Sequence, residues 1–156
     1  MKTLVLGLGN PILTDDGVGI HIVRAAVAHC SPLNGVTFAE ASVGGLRLLD
    51  LLAGYDRVIL VDAIQTRDGQ PGRFYWLAPG DLCASLHSGC THDLSLPGAL
   101  NLGRRLGMNL PGDEDLTILA VEVADVLTLG ETCTPAVVRA IPQAAEAMLA
   151  EVKKSQ

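Results

Sequence analysis

The chain has 156 residues, enough for one domain of ordinary size with a buried core. Hydrophobic residues make up 49% and charged residues 18%, a balance that fits a compact globule and excludes a disordered chain. Seventeen acidic side chains against eleven basic ones give a formal charge of −6, which leaves no basic footprint for nucleic acid.

In chain order, residues 3–6 are a continuous apolar run ending at Gly7, the pattern of a strand buried on both faces. Residues 17–30 read as a helix, with Val18, Ile22, Val23, Ala26 and Val27 on one stripe. Residues 36–39 form a second strand and 46–52 a short helix. Arg57-Val58-Ile59-Leu60-Val61 is the strongest strand signal, followed by strands at 73–77 and 117–123. Between those two, Ser95 is placed to cap a helix with Pro97 in its first turn. The last helix, about 134–153, has Pro135 in its first turn and Pro142 inside, where it should kink or break.

The order β-α-β-α-β-β-α-β-α points to a three-layer α/β/α sandwich. The eleven residues between Val61 and Arg73 carry Asp68-Gly69 and Pro71-Gly72 without a helical pattern, too little for a parallel crossover. The fourth strand is therefore expected as an antiparallel neighbour of the third, in an otherwise parallel five-stranded sheet. No repeat, charge block or linker divides the chain, so residues 1–156 read as a single domain.

Four cysteines, Cys30, Cys83, Cys90 and Cys133, make no Cys-x-x-Cys pair and are expected as reduced thiols. The apolar run after Lys2 breaks at Gly7, Gly9, Asn10 and Pro11, too soon for an export signal. No stretch approaches the ~20 apolar residues of a membrane helix. The expectation is a cytoplasmic monomer with no membrane partner.

Three places could carry chemistry. Gly7-Leu8-Gly9-Asn10-Pro11 follows the first strand, but a dinucleotide fingerprint needs glycine at position 12, where Ile12 stands. Asp15 and Asp16 beside it repel phosphate and attract a cation. Either could cap the following helix; capping accounts well for only one, leaving the second free to point across the strand ends. Asp62 closes the most apolar strand, at the end where open α/β sheets bind ligands, although it could equally cap the next turn. His92 precedes a helix start that would bring an imidazole to the same rim. His87 and Cys90 with His92 are an alternative zinc set, at a spacing that matches no familiar pattern. No Gly-x-Ser-x-Gly elbow or His-Glu-x-x-His is present, so hydrolysis would need a metal-activated water or paired carboxylates.

Several stretches together resemble the hydrogenase maturation endopeptidases: Gly7-Leu8-Gly9-Asn10 through Thr14-Asp15-Asp16-Gly17-Val18-Gly19, then Glu40-Ala41-Ser42-Val43-Gly44-Gly45, Val61-Asp62-Ala63 and Thr91-His92. The resemblance implies an endopeptidase that removes the C-terminal extension of a nickel–iron hydrogenase large subunit. It implies that Asp16, Asp62 and His92 bind metal and serve catalysis, and that Glu40, Gly44 and Gly45 meet the substrate. The metal it implies is nickel carried by the large-subunit precursor, with other divalent cations able to substitute. Some relatives carry Glu at the position of Asp16 and Asp at that of Glu40. The same residues could also serve a nickel-binding assembly factor that cuts nothing, or, through Gly7–Asn10, a nucleotide enzyme.

Overall fold

The computed structural model describes residues 1–82 and 95–154. Five strands form one sheet: β1 (Thr3–Leu8), β2 (Val36–Ala41), β3 (Arg57–Ile64), β4 (Phe74–Leu77) and β5 (Leu116–Glu122), in the spatial order β2-β1-β3-β5-β4. β2, β1, β3 and β5 run parallel and β4 runs antiparallel. Four helices among the described residues cover it: α1 (Val18–His29), α2 (Leu46–Leu52), α3 (Leu96–Arg105) and α4 (Pro135–Lys153).

Strand alternation sorts the core into two layers. Val5, Ile59, Val61, Leu119 and Val121 pack against Val18, Ile22 and Val23 of α1 and Val137, Ala144 and Met148 of α4. Leu4, Leu6, Val58, Leu60 and Ile118 point the other way, onto Leu48, Leu49 and Leu52 of α2 and Ala99 and Leu100 of α3. All six residues of β1 are buried, which is why that strand reads as apolar without alternation. The three-layer sandwich expected from the element order is therefore present.

Two expectations need correction. β4 is antiparallel, but its neighbour is β5 and not β3: Phe74 pairs with Val121 and Leu77 with Ile118. The connection after β3 crosses the end of β5, where Gly72 N donates to Glu122 O at 2.8 Å and the buried Glu122 carboxylate accepts from Thr66 N and Thr66 Oγ1. β3 gains more by keeping a parallel strand on each side, because its residues 58–61 are almost fully buried. Nor does Pro142 break α4, which continues for 19 residues. The proline leaves the Val138 carbonyl without its usual donor, but Val138 lies on the exposed side of the helix, where water can bond it. The buried face of Val137, Ala140, Ala144, Met148 and Val152 holds both halves to the sheet.

The glycines of the opening segment are explained by packing. A Cβ on Gly7 would sit 2.6 Å from Gly19 O, and one on Gly19 would overlap the carbonyl of Val61 and stand 2.7 Å from that of Leu8. Gly9, at φ +129°, faces the Asp16 carbonyl in the same way. The start of α1 thus lies directly on the ends of β1 and β3. Replacing Gly19 with Ala is expected to destabilise the fold by roughly 2 kcal/mol or more, read as a lower urea midpoint. An unchanged midpoint would contradict the backbone contact.

Candidate active site

The carboxyl ends of β1, β3 and β5 open into a cleft of about 870 Å³. Leu8, Gly9 and Asn10 reach it from β1, Asp62 and Ala63 from β3, Asp16 from the turn before α1, and Ser42 to Gly45 from the end of β2. Apolar side chains Leu48, Leu60, Leu96 and Ile118 also line it. Among its described lining residues, Asp16 and Asp62 are the only charged ones.

Asp15 and Asp16 have separate tasks, and neither caps α1, whose N-cap Gly17 receives no side-chain bond. Asp15 is fully buried. Its Oδ2 accepts from Ala124 N at 2.9 Å and Asp125 N at 3.0 Å, and its Oδ1 from Thr134 N at 2.6 Å. The Thr134 hydroxyl adds a bond of 2.8 Å to Oδ2. Burial alone would raise this carboxyl, but the amides of Asp125, Thr134 and Ala124 together hold it below the usual aspartate range. Asp15 therefore ties the turn before α1 to the β5–α4 connection. Asp16 is the one left to the cleft, with its Oδ2 accepting from Asn10 N at 2.9 Å. That bond occupies an amide a phosphate would need, which argues against the nucleotide alternative.

Asp62 lies inside the lengthened β3, paired in register with Ala120. Its Oδ1 accepts from the adjacent Ala63 N at 2.8 Å. Burial pushes its carboxyl up to about 7; the Ala63 amide opposes this and the charge of Asp16 adds to it. Two acids in electrostatic contact, with no basic residue on the described walls, make a site of cation-attracting sign.

Gly44 and Gly45 line the cleft, and a Cβ on either would meet nothing within 4 Å. Gly45 takes φ +59° at the N-cap of α2, a conformation suited to glycine. Ser42, given no separate role by the sequence, fixes this segment by donating from Oγ to Gly9 O at 2.7 Å. Glu40 is not on the cleft wall. It sits on β2 facing α1, in a two-bond ion pair with Arg24 (Nε–Oε1 and Nη2–Oε2, both 2.8 Å).

His92, with Cys83, His87 and Cys90, lies outside the described residues. Leu82 and Ser95, which bracket that segment in the chain, both line the cleft. Among the described residues, no group of three or more His, Cys, Asp or Glu side chains is placed to hold a metal. None of their helices is long and apolar enough to cross a membrane. Cys30 and Cys133 are free thiols, and burial, reinforced by Asp15, pushes Cys133 up to about 11.

Comparison with known proteins defines the class. The hydrogenase maturating endopeptidase HybD of Escherichia coli superposes with a TM-score of 0.82 at 31% identity, over 99% of this chain and 94% of that one, so the fold is that of a peptidase. The family model described as hydrogenase maturation protease matches residues 20–151, and the hydrogenase 2 maturation protease of Escherichia coli K12 is 31% identical over 99% of this chain and 93% of its own length. The chain belongs to the hydrogenase maturation protease family. The [NiFe] hydrogenase maturation protease HybD from Thermococcus kodakarensis, at 21% identity, shares the fold with a TM-score of 0.66, covering 95% of this chain and 97% of that one.

The division of labour between the two neighbouring acids is testable. Asp15→Ala would leave three part-buried amides without their acceptor and is expected to cost about 3 kcal/mol in chemical denaturation. Because the carboxyl is held below its usual value of 3.8, the wild type keeps this contribution above that pH and loses it only as pH falls below. Asp16→Asn should shift the midpoint by far less. Equal losses would show that both acids are structural.

Proposed function

We propose that the protein is the endopeptidase that removes the C-terminal extension from the nickel-loaded large subunit of a nickel–iron hydrogenase, acting as a cytoplasmic monomer. The observation that supports this reading most is the pair Asp16 and Asp62, electrostatically coupled and without a basic partner among the described walls of the cleft of a hydrogenase maturation protease. The nickel belongs to the substrate. In this reading Asp16, Asp62 and His92 complete its coordination, so that an empty precursor is not engaged and cleavage is coupled to metal loading. Two carboxylates and one imidazole suit a borderline divalent ion and leave positions open for the precursor. His92 stands three residues before the cleft-lining Ser95 in the chain.

When bound, the ion supplies Lewis acidity to the scissile carbonyl or to an attacking water. The chain supplies the rest. Asp62, with a carboxyl near 7, exchanges a proton readily at neutral pH when uncoordinated and gives it up to a cation. The apolar lining of Leu48, Leu60 and Ile118 limits water around the reacting bond. Gly44 and Gly45 leave the wall open for a main chain to lie against.

Incubation with nickel-loaded precursor should yield a shortened large subunit. Asp62→Ala and His92→Ala should each lower the processing rate by roughly 100-fold or more while far-UV circular dichroism stays unchanged. Normal processing by both variants would remove the proposed site.

Metal binding should also depend on pH. A cation must displace the proton of Asp62 and needs a neutral His92 imidazole, so affinity falls as pH drops through about 7. The Kd for nickel or cadmium is expected to be about tenfold weaker at pH 6 than at pH 8, by calorimetry or thermal shift. The same Kd at both would show that neither group is a ligand.

A further inference from the structure

The two outer edges of the sheet are unlike each other. β4 spans only four residues, with Pro71 and Arg73 before it and Pro79 after it, features that keep an edge from pairing with other chains. β2 lacks them. Its register with β1 is unbroken from Thr3↔Val36 to Leu8↔Ala41, so no bulge turns the edge away, and it contains neither proline nor lysine. Among the described residues no strand lies on its outer side.

Two hydrogen bonds identify the groups that face outward. Thr3 N donates to Gly35 O at 2.8 Å, and Gly9 N donates to Ala41 O at 3.1 Å. The N–H and C=O of one strand residue point to the same side, and successive residues alternate. Positions 37, 39 and 41 are therefore turned to β1, while the N–H and C=O of Phe38 and Glu40 are turned outward. Beside this edge, Val23 and Val27 of α1 and Phe38 of β2 line a groove of about 360 Å³, with the Arg24–Glu40 pair at its margin. Val27 is 49% exposed there. Past Ala41 the strand runs directly into Ser42 to Gly45, on the wall of the catalytic cleft.

We propose that β2 is the rail on which the precursor docks. An extended segment of the substrate adds to its outer edge as a sixth strand and pairs by main chain with Phe38 and Glu40. It seats an apolar side chain in the groove against α1, then follows residues 42–45 into the cleft. Main-chain pairing holds a peptide extended whatever its sequence, and alternate side chains supply the selection. A peptide occupant is favoured over a second copy of this chain because the edge continues into a cleft where a peptide bond is cut. The open space at Gly44 and Gly45 lets a second backbone approach there. The proposal rests on the endopeptidase reading above.

The test compares Phe38→Pro with Phe38→Ala on nickel-loaded precursor. Both lose the ring, and only proline loses the outward N–H, which plays no part in the ladder with β1. The KM of Phe38→Pro is expected to be about fivefold above that of Phe38→Ala at similar kcat, the scale of one main-chain hydrogen bond. Equal KM values would overturn the rail. Should the proline variant fail to fold, hydrogen exchange of the wild type decides: the Phe38 and Glu40 amides should gain protection when precursor is added. Cleavage without protection removes the rail and leaves the endopeptidase reading intact. Protection in the free protein that grows with its concentration assigns the edge to a second copy and also overturns the rail. A wild type that leaves the precursor uncut removes both readings.

Discussion

Two neighbouring carboxylates on one tight turn meet opposite surroundings, and the site depends on that difference. Asp15 is turned inward and saturated by three amides and a hydroxyl, so its charge is stabilised although it is fully buried. Asp16 is turned to the cleft, where it holds one amide and faces Asp62. The turn can sit between β1 and β3 because Gly7, Gly9 and Gly19 remove the side chains that would keep α1 away. A Cβ at any one of them would meet backbone at less than contact distance, so the packing of the turn and of α1 on the strand ends would have to shift.

Burial on both faces gives the rest of the frame. β3 takes the centre of the sheet, with β1 and β5 alongside, and delivers Asp62 to a partly desolvated position. A carboxyl raised to about 7 is a costly group to keep unless a ligand uses it. The Arg24–Glu40 pair makes the contrast, since there the acid is matched on the surface by a guanidinium. Asp16 and Asp62 have no such partner among the described walls of the cleft.

Much of this was legible in the sequence because it follows from local pattern. Apolar runs marked the strands, the helical stripe marked α1, and Ser95 and Pro135 marked helix starts, each within a few residues of the observed element. Neighbour choice was not legible. Which strand β4 joins depends on how much burial β3 gains from a parallel partner on each side, a whole-sheet quantity that no window along the chain contains. The continuity of α4 through Pro142 likewise depends on the sheet beneath it. For the acids, the sequence led one of Asp15 and Asp16 to be expected as a helix cap, with the other left to the strand ends; neither caps α1, and that Asp15 instead bonds amides more than a hundred residues away could not be read from local pattern. Glu40 shows the opposite limit, because adjacency to the Gly44-Gly45 segment did not place its side chain on the same wall.

The most direct measurement is a carboxyl-carbon NMR titration of Asp62 in the metal-free protein and in Asp16→Asn, repeated with cadmium. A midpoint near 7 in the wild type, a lower one in the variant, and loss of the proton on adding cadmium would bear out two coupled acids awaiting a cation. A midpoint near the ordinary 3.8 in both proteins, unmoved by cadmium, would contradict it.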